Sequence, residues 1–280
     1  MIRAAGHKAK YQSSKEKKWR RALKEPCDII AVAGGDGTVG KVARRLIGSR
    51  TPITVLPMGT ANNVAHTLGL TGRPLEDLIA GWNAARCVNF DASLAKGPWG
   101  SRYLIEGLGV GLFAETMFQI DDGAHPHVSD SDDPEKEIHS ILKVLKKKLS
   151  GYPAKDLTVR LDGQDLSGDY VLVEALNIRY IGPNLDLVPR VEINDGFLDV
   201  VLVSRGEQTK LSNYFSDRMQ RKRSRVNLTT RRGRHLQVEW ESSPVHIDDM
   251  PWPQDDDRPS ILCNAIDVRV DPGALVFLVS

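Results

Sequence analysis

Apolar positions in the first third of the chain follow two alternating rhythms. Asp28-Ile29-Ile30-Ala31-Val32-Ala33 is a nearly continuous apolar run, the pattern of a strand buried on both faces of a parallel sheet, and Gly34-Gly35-Asp36-Gly37 breaks it. Val39, Val42, Ala43, Leu46 and Ile47 then fall at i, i+3, i+4, i+7 and i+8, one face of a helix that Gly48 ends. The pair repeats. Ile53-Thr54-Val55-Leu56 predicts a second buried strand, residues 57–63 its loop, Val64 to Leu70 a helix, and Leu75 to Ala85 another. Upstream, Lys8 to Gln12 reads as a strand and Lys15 to Lys24 as a helix. The unit is βαβαβα, with the loops after the strands gathered on one edge.

From about residue 155 the period becomes two. Leu157, Val159 and Leu161 alternate with polar neighbours, and strand-like runs follow at Tyr170 to Leu176, Phe197 to Val203, His235 to Trp240, Val245 to Ile247 and Ala265 to Val270. Helices are predicted at Glu137 to Leu149 and Thr209 to Lys222, and an exposed loop at Asp121 to Pro134. Ala274 to Val279 is a last strand or a tail docked on a core. The expected architecture is α/β plus all-β: a Rossmann-like α/β domain over residues 1–90 and an antiparallel β-sandwich over 91–270, with 271–280 as candidates to return to the first domain.

Composition narrows the class. With 280 residues, 41% hydrophobic and 26% charged, the chain can bury sizeable cores, which argues against disorder and coiled coil. A net charge of +2 gives no support to a globally basic nucleic-acid binder. Cys27, Cys87 and Cys263 lie far apart, so neither a disulfide framework nor a zinc ribbon is expected. No apolar run approaches the ~18 residues of a membrane span, and the lysine-rich start lacks a signal-peptide core; the expected compartment is the cytoplasm.

Two glycine loops carry the chemistry. Gly34-Gly35-Asp36-Gly37-Thr38 lies between a strand and a helix, where glycines let backbone approach a phosphate and the helix end offers free N–H groups. An aspartate there implies Mg²⁺ handling or contact with a hydroxyl that accepts phosphate; the tetrad is also an ordinary tight turn. Gly59-Thr60-Ala61-Asn62-Asn63 occupies the equivalent place after the next strand, so both loops reach one crevice. Neither loop completes the GxxxxGK[ST] pattern, since Val42 follows Gly40-Lys41, which disfavours a P-loop NTPase.

A GGDGTV loop, then Pro57-x-Gly59-Thr60-x-Asn62, then Asn194-Asp195-Gly196-Phe197-Leu198-Asp199 in a β-rich half, together resemble the diacylglycerol kinase catalytic-domain family of lipid kinases, over nearly the whole chain. The first loop is shared with NAD kinases; the second loop and the Asn194–Asp199 motif specify the lipid-kinase branch. The resemblance implies an N-terminal nucleotide-binding domain and a C-terminal sandwich, with ATP and substrate between them. It implies that Gly34, Gly35, Asp36, Gly37, Thr38, Val39, Gly40, Gly59, Thr60 and Asn62 serve the nucleotide, with Ser13 or Ser14 where a threonine usually contacts it. It gives a structural Mg²⁺ to the Asp195 carboxylate and the carbonyls of Glu192 and Phe197, a hard-oxygen set; Asn-Asp-Gly is equally a good hairpin turn.

The chain departs from the family in two places. It begins where the family's first helix ends, so an expected first strand and its Asn-Pro-x-Ser/Gly-Gly type loop fall outside it. The family's Leu-Asp-Gly-Glu turn, whose glutamate takes the hydroxyl proton, corresponds to Ile247-Asp248-Asp249-Met250, and a thioether accepts no proton there. Asp248, Asp249 or Asp36 are the substitutes, with His246 weaker because a lone strand histidine is usually structural.

Arg218, Arg221, Lys222, Arg223, Arg225, Arg231, Arg232 and Arg234 form a run of cations without an acidic or aromatic residue. It reads as a solvated face or as a peripheral dock on the inner, anionic face of a membrane, and the lack of aromatics disfavours nucleic acid. The combined expectation is an ATP- and Mg²⁺-dependent kinase for a hydroxyl of a diacylglycerol-like lipid. The alternatives are a catalytically impaired nucleotide- or lipid-binding regulator of the same fold and an NAD kinase-like enzyme with a soluble substrate.

Overall fold

A computed structural model describes residues 1–121, 133–188, 190–239, 243–253 and 265–280. Most of the acidic loop expected at 121–134, as well as Trp240 and Cys263, lies outside the described residues.

The strand expected at 8–12 does not form, and the helix expected at 15–24 shrinks to α1 (Trp19–Ala22). Lysines and arginines crowd this segment; Trp19 is the only side chain α1 buries, while Tyr11 is 84% exposed. With so little apolar surface to cover, tertiary packing cannot hold a longer element. Next come β1 (Ile30–Gly34), α2 (Asp36–Ala43), β2 (Ile53–Pro57), α3 (Asn63–Thr67) and α4 (Leu75–Ala80). β1 and β2 pair in parallel from Ile30↔Ile53 to Gly34↔Pro57, so the two glycine loops leave the sheet side by side. β1 is the edge strand and exposes Ala31 and Ala33, where the apolar run predicted burial on both faces.

The stretch between residues 86 and 121 folds as β3 (Arg86–Gly97), β4 (Gly100–Leu104), β5 (Gly107–Gly111) and α5 (Leu112–Asp121), elements that the pattern did not single out. α6 (Pro134–Leu149) follows, its N-terminus capped by Asp133, whose carboxylate accepts from the Glu135 N–H at 3.0 Å. The rest of the chain supplies β6 (Lys155–Leu157), β7 (Val159–Leu161), β8 (Gln164–Asp165), β9 (Gly168–Leu176), β10 (Tyr180–Ile181), β11 (Leu185–Asp186), β12 (Leu198–Ser204), α7 (Gln208–Met219), β13 (Thr229–Gly233), β14 (His235–Glu239), β15 (Val245–Ile247), β16 (Met250–Trp252) and β17 (Ala265–Val279).

Two large open sheets result, beside a two-stranded β10–β11 ribbon. One runs β1-β2-β17-β14-β7-β8, with β3 joined to β17 and β4 to β3; the other runs β13-β12-β9-β5-β15-β16, with β6 on β9. β17 belongs to both halves of the first sheet. Its early residues pair with β14, and Phe277 pairs in parallel with Ile53 of β2; a register shift between Asp271 and Leu275, at Gly273 with φ +62°, re-aims the strand. Val159, Leu236, Val238, Ile266 and Val268 of one sheet face Leu108, Val173, Leu198, Val200 and Ile247 of the other, forming the sandwich core. α5, α6 and α7 cover the outer face of the second sheet with Leu112, Leu142, Leu145, Leu211 and Phe215. That cover explains why β9 and β12 read as continuous apolar runs rather than alternating ones: both faces are buried.

Candidate active site

The two glycine loops touch backbone to backbone. A Cβ on Gly59 would fall 2.4 Å from the Gly35 Cα, so neither position tolerates a side chain. Asp36 ties them further, its Oδ2 accepting from the Asn63 N–H at 2.8 Å and its Oδ1 from the Val64 N–H at 3.0 Å. It thus caps α3 from the neighbouring loop. Burial, reinforced by nearby Asp249, holds the Asp36 pKa above the usual aspartate value, although the two N–H donors pull the other way. Asn62 sits at φ +52° and folds back on its own turn, accepting from Gly59 N at 2.9 Å and donating to Gly59 O at 2.6 Å.

Of the other residues assigned to the nucleotide, Thr38, Val39 and Gly40 lie in α2 beside this joint. Thr38 lies over Gly34, and the Thr38 and Val39 N–H groups both donate to Gly35 O at 3.0 Å, opening α2. Gly37 leaves room for Asp249 and Gly40 for Arg44. Lys41 holds the N-terminal segment against α2 by donating to Ser14 O at 2.6 Å and lying over the Trp19 ring, whereas the Ser13 hydroxyl accepts locally from Lys15 N at 3.3 Å. The Thr60 hydroxyl donates to Glu137 of α6 at 2.8 Å.

The sandwich brings its acids to the same crevice, and it separates the two neighbours that the sequence left equal. Asp248, at φ +55° and 6% exposed, accepts from the N–H groups of Ile105, Glu106 and Gly107 through Oδ1 and pairs with Arg44 through Oδ2. A carboxylate so engaged is a structural anchor, which corrects its expected role as a base. Asp249 is exposed, and a Cβ on Gly37 would lie 2.3 Å from its Oδ2. Glu106, 5% exposed, accepts from Asn63 Nδ2 at 3.2 Å; burial, with Asp36, Asp248 and Asp249 around it, pushes its pKa well above the ordinary glutamate value.

His246 is structural, in line with the weaker standing expected of it. It is 1% exposed, its Nε2 lies 2.8 Å from Glu174 Oε2 and its Nδ1 3.0 Å from Asp248 O. Gly109 stands between the two side chains in the register of three strands, and a Cβ there would strike the Glu174 carboxylate.

The Asn194–Asp199 turn is anchored by Asp91, which accepts from Gly196 N at 2.6 Å and Gly273 N at 2.7 Å. Asp195 Oδ1 accepts from Phe197 N at 3.0 Å, and Oδ2 pairs with Arg232. The donor set that the resemblance gave to a structural Mg²⁺ (Glu192, Asp195 and Phe197) is therefore a poor fit to a divalent ion, because its one carboxylate already has a cation. Among the described residues no three His, Cys, Asp or Glu side chains are grouped to hold a metal.

Glu106, Arg44, Glu137, Glu174 and Asp91 were not singled out in the sequence. The available signal was an acid inside an apolar strand: Glu106 in Leu104-Ile105-Glu106-Gly107-Leu108, Glu174 in Val171 to Leu176, and Asp91 after Phe90. A charge at such a place is buried and must be paired.

Two contacting glycine loops at the edge of an α/β sheet thus face carboxylates carried by a β-sandwich. The profile of the diacylglycerol kinase catalytic domain matches residues 2–90, and that of the YegS C-terminal NAD kinase beta sandwich-like domain matches residues 118–279. The chain belongs to the diacylglycerol kinase and YegS family of lipid kinases. It is 27% identical over 192 residues to a "Probable lipid kinase YegS-like" protein of Stenotrophomonas maltophilia (strain K279a), covering 65% of this chain and 58% of that one. It is 26% identical over 187 residues to a "Diacylglycerol kinase" of Bacillus subtilis (strain 168), covering 66% and 57%. The match thus spans less than two thirds of the relatives' own lengths. The crystal structure of a diacylglycerol kinase from Bacillus anthracis str. Sterne superimposes with a TM-score of 0.69 at 21% identity, over 95% of this chain and 84% of that one, which shows the shared fold.

Proposed function

We propose that the protein is an ATP-dependent lipid kinase that transfers the γ-phosphoryl group of MgATP to a hydroxyl of a diacylglycerol-like lipid, with Asp249 as the base. The observation that carries this reading is the placement of Asp249. Its carboxylate is exposed, has no hydrogen-bond or ion-pair partner among the described residues, and lies against Gly37 at the N-terminal end of α2. That helix end, with the joined loops of residues 34–40 and 59–62, is where triphosphate oxygens are best stabilised. Mg²⁺ enters with ATP as part of the substrate and screens the phosphates from Asp36 and Asp249. Asp249 takes the hydroxyl proton as the lipid oxygen bonds to the γ-phosphorus and the bond to the β–γ bridging oxygen breaks, releasing ADP. The family's glutamate is replaced by Met250, and the carboxylate next to it in sequence assumes its task.

Exposed Arg223, Arg225 and Arg231 have no acidic partner among the described residues, whereas Arg221 pairs with Glu135, Lys222 with Asp217 and Arg232 with Asp195. These three free cations are the proposed dock on an anionic leaflet, which brings the enzyme to its substrate.

Met250 also favours a second reading, a nucleotide- and lipid-binding regulator without turnover. One experiment separates the readings: purified protein with Mg²⁺ and γ-labelled ATP is offered mixed-lipid vesicles or NAD, with Asp249→Asn and Asp36→Ala alongside. Label in lipid, lost in Asp249→Asn, supports the kinase. ATP binding without transfer supports the regulator, and label in NAD alone overturns both.

A further inference from the structure

We propose that the Arg232 guanidinium is the resident cation of the Asn194–Asp199 turn, standing where the family resemblance places a divalent metal, so that this turn is held without one. The proposal is independent of the phosphoryl-transfer reading.

The placement of Arg232 is built into the fold. β12 and β13 are antiparallel, and their register sets Asp199 directly opposite Arg232. Opposite charges in that relation stabilise a strand pair. From there the side chain reaches both acids of the turn: Arg232 pairs with Asp195, and its Nε lies 3.5 Å from Asp199 Oδ1. A planar fork with several donors suits this bridging task, as a point-charge ammonium does not. The guanidinium also lies 4.9 Å from the centre of the Phe197 ring, and Arg234 lies 4.7 Å from the same ring, so the aromatic side chain of the motif is flanked by cations.

Charge balance leads to the same conclusion. Asp199 is 2% exposed, and the cation paired with it among the described residues is Arg232, whose Nε lies 3.5 Å from Oδ1. Asp195 has one oxygen on the Phe197 N–H and the other on Arg232. A divalent ion using that carboxylate must displace the guanidinium and then share the turn with Arg232 and Arg234, four positive charges against the carboxylates of Asp195, Asp199 and Glu192. The Gly196 N–H, bonded to buried Asp91, fixes the turn's backbone without any metal. The turn is thus held by its own side chains, with no place left for a divalent ion at Asp195.

The test is thermal unfolding of the full chain without nucleotide, in EDTA and in excess MgCl2 or CaCl2, together with elemental analysis of the purified protein. The wild type is expected to contain less than one equivalent of divalent metal and to keep its Tm in all three solutions. Arg232→Gln is expected to lower Tm by roughly 4 °C or more, and added Mg²⁺ to recover part of that loss by filling the vacated place. Arg232→Lys, which keeps the charge and loses the fork, should fall between. A Mg²⁺-dependent rise in wild-type Tm that Asp195→Asn abolishes overturns the proposal, as does an Arg232→Gln chain as stable as the wild type. The wild-type measurement stands even where a variant fails to fold.

Discussion

Arg44 Nη1 lies 2.5 Å from Asp248 Oδ2, joining the end of α2 to the turn that follows β15. Asp248 has a side chain 2% exposed and Arg44 one 19% exposed, and removing one partner of such a pair leaves the other charged and unsatisfied. Arg44→Met and Asp248→Asn are each expected to cost about 3 kcal/mol in urea unfolding. Asp249→Asn, one residue on, has no partner to lose and should leave stability within ~0.5 kcal/mol. Equal losses at 248 and 249 contradict the division of roles between these neighbours.

The glycines of the two loops differ in what stands in their way. A Cβ on Gly59 meets Gly35 backbone, which cannot move without parting the loops, whereas a Cβ on Gly37 meets only the free end of Asp249. Gly59→Ala should therefore weaken nucleotide binding by about tenfold or more, about 1.4 kcal/mol. Gly37→Ala should fold normally and bind ATP, but push Asp249 from its place and lower kcat. Calorimetric ATP titration beside turnover measurement distinguishes a binding defect from a catalytic one.

Glu106 gives the fold a pH dependence. Its folded pKa is raised well above the unfolded value, so its contribution is fully present below the unfolded value and is lost as pH rises through the folded one. Glu106→Gln keeps an acceptor for the Asn63 amide at 3.2 Å and removes the ionisation. Its unfolding free energy should fall less steeply with rising pH than that of the wild type. The difference in slope should approach about 1.4 kcal/mol per pH unit between the unfolded and the folded pKa, and vanish above the folded one. Parallel pH profiles for the two proteins would remove Glu106 from the titrating set.

Continuous apolar runs and glycine placement made the α/β unit legible: β2 is buried from Ile53 to Leu56, and α2 buries the face of Val39, Val42 and Ala43 that repeats at 3.6. The pattern misled where charge outweighed apolar surface, as at residues 8–24, and where sheet position decides exposure, as at Ala31 and Ala33. The β3–β4–β5 stretch was hidden because Ser93, Lys96, Ser101 and Arg102 interrupt the alternation, while long-range pairing with β17 supplies the strand order. In the site, the loop glycines announced themselves locally. Arg44–Asp248 and Glu174–His246 join residues 204 and 72 positions apart, and no local pattern reports that distance. The difference between Asp248 and Asp249 likewise needed the backbone, since it arises from the three N–H groups between Ile105 and Gly107.

The base proposal is also open to rescue. Met250→Glu places a carboxylate one residue beyond Asp249, in the first position of β16. In an Asp249→Asn background this change should raise kcat by at least roughly tenfold, within the 10²–10⁴ range of a positioned base. A chain that stays inactive with Met250→Glu but binds ATP normally points to the regulator reading.

Membrane docking is the last outcome to be measured. Arg223, Arg225 and Arg231 are exposed cations without acidic partners among the described residues, and each contributes about 1 kcal/mol near an anionic surface. Replacing all three by Gln should lower affinity for vesicles rich in phosphatidylserine by on the order of 100-fold, with little change toward neutral vesicles. The wild-type affinity should fall steeply as salt shortens the Debye length from about 10 Å at 0.1 M to about 3 Å at 1 M. The triple variant should lose most of that salt dependence. Because none of the three touches the glycine loops or Asp249, its turnover on lipid dispersed in neutral detergent should match the wild type. A variant impaired equally on vesicles and in detergent would place these arginines in the fold or the site rather than on the membrane face.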